Sequence, residues 1–173
     1  MMLALLQDGE ATSALARAVT PWSRLFSHSK AVSAAVLFLH LVPLVVAAGT
    51  AFVADRATIR ASRLGPPERS AQLAELARIH RIVVGGLALS FVSGVLLFLS
   101  DVDNFRTAPA FWTKLAMVAL LLANGFAMTR TEAALRTSGD DAQRWSRLRT
   151  ISVLSMVLWL ATVLNGVVLA TYA

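Results

Sequence analysis

Four apolar stretches, over 31–54, 82–100, 110–128 and 150–171, constrain this chain more than any other feature. Each is close to the ~17–25 residues a helix needs to cross a ~30 Å hydrocarbon layer. Each is bounded by charge: Lys30 and Asp55, Arg81 and Asp101, Arg106 and Arg130, then Arg149 before the last. Backbone in lipid finds no water to bond, so segments of this length must be helices. Composition agrees: 57% of residues are hydrophobic and 15% charged, against ~45–50% and ~25% in a soluble domain. A chain of 173 residues cannot bury that much apolar surface in a water-facing globule. The expected fold is all-α, an integral membrane four-helix antiparallel bundle.

Basic residues in the connections set the expected direction. The 55–81 and 129–149 connections hold eleven arginines between them. The opposite side has Arg17, Arg24, Lys30 and Arg106. Both termini are therefore expected outside, with the two arginine-rich connections in the cytoplasm. The net charge of +6 flanks apolar segments, which points to anionic lipid headgroups as partners and away from nucleic acid.

Residues 1–30 read as an outer leader, amphipathic or flexible, ahead of one transmembrane domain over 31–173. Leu15, Val19, Trp22, Leu25 and Phe26 fall at helical spacing, and Pro21 interrupts them. Gly65-Pro66-Pro67 and Ser138-Gly139-Asp140-Asp141 break the two arginine-rich connections and read as turns between helix extensions. There is no cysteine, which removes disulfides, thiolate metal sites and cysteine nucleophiles. No HExxH, phosphate loop or Ser-His-Asp set appears, so an enzyme is the lesser expectation.

Polar groups inside lipid are costly, which makes them the first candidates for function. At ~1.5 Å per residue, His40, Ser93, Lys114 and Asn165 fall ~6–14 Å below the outer ends of their spans and can share one layer. Lys114, Met117, Leu121, Asn124 and Met128 form a stripe on one face of the third span. Met117 and Met128 are candidate soft ligands for copper beside His40, or else adaptable packing. Asn124 lies deeper and is expected to bridge helices near Thr50 or Ser155. Gly86, Ser90 and Gly94, four apart, make a small-residue face for close helix approach, or room for a flat cofactor. His80, between Arg78 and Arg81, is a candidate haem ligand or a headgroup-level histidine. Some ~21 Å of helix axis separates the depths of His40 and His80, so one haem cannot take both from one chain.

The segments FLHLVPLVVAAGTAF (38–52), RIHRIVVGGLALSFVSGVLLF (78–98), TAPAFWTKLAMVALLLANGFAMTR (107–130) and RLRTISVLSMVLWLATVLNGVVLA (147–170) together resemble copper-resistance-D-like (CopD-like) four-helix proteins of the bacterial inner membrane. Phe111-Trp112-Thr113-Lys114 and Asn124 carry most of the likeness, which covers about 31–171. The resemblance implies copper binding or transport in the inner membrane and points to His40, Lys114 and Asn124. Two other readings stand beside it. One is a small b-type haem cytochrome held by His40 or His80. The other is a ligand-free structural or accessory subunit; a homodimer or a larger membrane assembly is the expected protein partner.

Overall fold

The computed structural model describes residues 17–172, and Leu15 of the leader lies outside them. Among the described residues all regular structure is helical, and four of the helices are long. Helix α1 covers 17–28 and continues through Pro21. It is followed by α2 (Lys30–Ala61), α3 (Pro66–Ser100), α4 (Val102–Thr107), α5 (Pro109–Ser138) and α6 (Ala142–Tyr172).

Local chemistry places the boundaries. Ser29 caps α2 by accepting from Val32 N–H at 3.4 Å. Pro66 and Pro109 sit in the first turns of α3 and α5, where a missing N–H costs nothing. Asp101 caps α4 by accepting from Asn104 N–H at 3.3 Å. Gly139 takes φ 80°, a left-handed conformation that suits glycine, and ends α5. The arginine-rich connections thus shrink to short turns between helix extensions, as the Gly-Pro-Pro and Ser-Gly-Asp-Asp breaks imply.

Helices α2, α3, α5 and α6 form an up-down bundle. The backbones of α2 and α3, α5 and α6, and α2 and α6 approach one another. Helices α3 and α5 meet through side chains, with the Phe98 and Phe111 rings stacked 5.3 Å apart. One end carries α4 and the start of α2; it is called the α4 end below, and the other the arginine-rich end. Helix α1 returns to the α4 end, where Trp22 Nε1 donates to Leu96 O at 2.8 Å and Ser23 Oγ to Ser100 O at 2.7 Å.

All four long helices are long and apolar enough to cross a membrane. Within their most apolar windows only 11–28% of residues are buried inside the bundle. The rest of that apolar surface, including Phe38, Val53, Phe91 and Leu164, faces outward. Such an outward apolar face is what a lipid solvent requires. The small-residue face of α3 serves close packing. A Cβ on Gly86 would lie 2.8 Å from Pro43 O and 2.9 Å from the Ala47 Cβ. One on Gly94 would lie 3.1 Å from the His40 ring. That face is therefore filled by α2, which leaves no room there for a flat cofactor.

Candidate functional site

Near the α4 end, α2 presents His40 to α3. The ring Nδ1 lies 2.9 Å from Ser90 O and 3.3 Å from Ser93 Oγ. A backbone carbonyl only accepts, so Nδ1 carries the proton and Nε2 keeps the lone pair. Ser90 Oγ donates to His40 O at 3.0 Å, and Ser93 Oγ lies 3.2 Å from Leu39 O. Two hydroxyls of α3 thus clamp the turn of α2 that carries the histidine. Both serines are buried.

From α5, Lys114 reaches across the bundle and its Nζ lies 3.3 Å from His40 Nε2. The amine donates and the imidazole lone pair accepts. A Cβ added to Gly166 on α6 would lie 4.0 Å from the same nitrogen, so α6 passes close behind it. Asn165 precedes that glycine, and its Oδ1 is buried without a hydrogen-bond partner. Three helices therefore close on one nitrogen-centred contact.

A second polar cluster occupies the arginine-rich end, separated from the first by Ala47, Ala51, Leu121 and Trp159. Asp55 on α2 is 2% exposed and Glu132 on α5 is 4% exposed. Ser155 and Ser152 of α6 lie beside Asp55. The charges of Asp55 and Arg136 are both close enough to act on Glu132. Asp55 Oδ2, Glu132 Oε1 and Ser152 Oγ are buried without hydrogen-bond partners. His80 Nδ1 of α3 faces Glu132 Oε2 at 3.6 Å. Gln72 Nε2 donates to Thr58 Oγ1 at 3.0 Å, closing the α2–α3 side. Arg136 is committed to Leu73 O.

The candidates read from sequence divide between these clusters. His40, Ser93 and Lys114 come together, with Asn165 close by on α6. Met117 is half-buried on α5, three residues beyond Lys114. Met128 packs with Ala54, Leu76, Leu135 and Trp145 in the apolar core of the arginine-rich end. It lies fourteen residues, or ~21 Å of helix, from Lys114. Asn124 sits between the clusters and donates from Nδ2 to Ile151 O at 3.3 Å, bridging α5 and α6 near Ser155. His80 belongs to the carboxylate cluster. Among the described residues no three His, Asp or Glu side chains are placed to share a metal ion.

Sequence reasoning missed Asp55 as a buried group, because it read as the charge ending the first span. Glu132 was hidden among the arginines that follow α5's apolar stretch. Both were legible in register. Asp55 continues the buried face Ala47, Ala51, Ala54, Thr58, and Glu132 continues Leu121, Asn124, Met128, Leu135. Comparison with known protein families, characterised proteins and solved structures finds no match.

Proposed function

We propose that this chain is a multi-pass protein of the bacterial inner membrane that binds copper through His40, for uptake or handling. The proposed orientation puts both termini outside and the arginine-rich end in the cytoplasm, following the eleven arginines of that end. One observation carries the ligand reading: the Ser90 carbonyl holds His40 Nδ1 at 2.9 Å and leaves Nε2 as the lone pair. Metal-binding histidines are commonly oriented this way, by a carbonyl on the other ring nitrogen. Lys114 lies 3.3 Å from that lone pair, so a copper ion and the ammonium compete for it. Met117 is one turn further along α5 and offers a soft thioether. The CopD-like resemblance supplies the choice of metal.

Metal analysis of protein purified in mild detergent tests this reading. Copper should copurify with wild type and fall to background in His40→Ala. Lys114→Leu removes the competing cation without adding a ligand and should raise copper content, while Met128→Leu should leave it unchanged. Wild type that holds no copper under either reducing or oxidising conditions overturns the proposal. A Soret band in the same sample would instead favour the haem reading. Reporter fusions to the 62–65 turn test orientation separately, and a periplasmic signal there would reverse it.

A further inference from the structure

Arg56 and Arg60 lie one turn apart on α2, and Arg63 follows in the turn after it. With Ile59, Leu64 and Met156 of α6 they line a groove of about 380 Å³. The three arginines are exposed, whereas Ile59 and Met156 are half-buried and give the groove an apolar floor. Among the described residues none of the three guanidiniums has an ion pair or a hydrogen-bond acceptor. Other arginines of the same end are engaged. Arg69 pairs with Asp140 at 3.0 Å, Arg144 with Asp141 at 3.4 Å, and Arg136 donates to Leu73 O.

The groove therefore joins unneutralised positive charge to apolar surface. Val53, three residues before Arg56 on the same face, is 69% exposed and continues the apolar surface toward the middle of α2. A soluble anion would use the guanidiniums alone and make no contact with that surface. We infer that the groove binds an anionic phospholipid, its phosphate against Arg56, Arg60 and Arg63 and an acyl chain along Met156 and Val53. Guanidinium groups suit phosphate because their planar fork donates to two oxygens at once. Basic pockets beside transmembrane helices at the cytoplasmic face bind such headgroups in general. The inference rests on the membrane reading and is independent of copper.

Native mass spectrometry of the detergent-purified protein, titrated with phosphatidylglycerol or phosphatidylcholine, is the test. Wild type should retain one phosphatidylglycerol and discriminate against phosphatidylcholine. Each basic residue near a headgroup contributes about fivefold in affinity, so R56Q/R60Q/R63Q should weaken retention about a hundredfold. R78Q/R147Q/R149Q removes the same charge from exposed sites at the same end and should stay within about twofold of wild type. Met156→Trp fills the groove with all arginines kept and should also lose the lipid. Equal loss in both triple variants would reduce the effect to diffuse charge and overturn the site. Displacement by millimolar inorganic phosphate would show a phosphate site without lipid and overturn it too. Carbonate extraction of membranes separates the two premises. A protein released by carbonate fails the membrane reading and the site with it. A protein that stays in the membrane but retains no phosphatidylglycerol fails only the site.

Discussion

At the α4 end, His40 is matched on both ring nitrogens, by Ser90 O and by Lys114 Nζ, and the helix beneath it is packed to van der Waals contact. At the arginine-rich end, Asp55 and Glu132 are more deeply buried, yet each keeps a carboxylate oxygen without a partner. The first end pairs the groups around His40 by bringing backbones together, which needs small residues at Gly86, Ser90 and Gly94, and leaves one buried amide oxygen over, Asn165 Oδ1. The second relies on long side chains around Trp145 and leaves polar atoms over. Buried polar groups without partners cost about 1–3 kcal/mol each and are kept only where something compensates. The α4 end therefore pairs its histidine on both nitrogens and strands one neutral amide oxygen, while the arginine-rich end holds unpaired carboxylate oxygens beside a large apolar core.

The largest test of that contrast is Trp145→Ala. Trp145 is 1% exposed within the cluster of Leu76, Met128, Leu135 and Leu148, and the Arg69 guanidinium lies 5.5 Å above its ring. Removing so large a buried side chain costs about 3–5 kcal/mol. Thermal unfolding in detergent should report the loss. Hydrogen exchange should show amides of the arginine-rich end opening first, with those around His40 still protected. Simultaneous opening of both ends would abolish the distinction between them.

Gly86→Ala probes the other end. Its Cβ would meet Pro43 O and the Ala47 Cβ, neither the tip of a flexible side chain. Helices α2 and α3 must separate, at a cost of about 1–3 kcal/mol. The shift should also displace His40 from Ser90 O and weaken the proposed copper binding. A variant with wild-type stability and metal content would show that the close approach does not position the histidine.

The leftover polarity predicts a change of opposite sign. Asp55→Asn keeps the shape of the side chain and removes a buried charge that lies near a second carboxylate. It should raise stability by about 1 kcal/mol, as replacing costly buried ionic groups often does. A lower melting temperature would mean that Asp55 holds the helices together.

The contrast also explains what was readable in the sequence. The four spans were legible because lipid imposes a length and a composition on every crossing segment, regardless of neighbours. The Gly86–Ser90–Gly94 face and the stripe on α5 were legible as spacing along one helix. The meeting of His40 with Lys114 was readable only as a shared depth, since depth does not say which faces turn toward each other. The carboxylate cluster went unread because its members sit beyond the apolar stretches, in helix extensions where charge is expected on the surface. Their register on the buried faces of α2 and α5 was the one signal, and packing of α6 against α2, with Ser152 and Ser155 beside Asp55, is what turns Asp55 inward. Helix α4 escaped notice because six residues leave no periodic signal.

Asn124 lies between the two regimes and gives the smallest expected effect. Its Nδ2 donates to Ile151 O at 3.3 Å, a carbonyl within the long helix α6. That carbonyl accepts from its own helix as well, so losing the asparagine leaves no orphaned acceptor. Hydrogen bonds between membrane helices average about 0.6 kcal/mol in measured cycles. Asn124→Ala should therefore lower stability by about that amount and leave copper content unchanged, because the side chain touches neither His40 nor Lys114. Asn124→Leu keeps the branching at Cγ and close to the same shape while losing the bond, so it should cost no more than alanine, which also loses packing. The order of the two variants in a thermal melt separates polar bonding from packing at this position. If alanine costs several kcal/mol and also removes copper, Asn124 couples the two ends and the division between them fails.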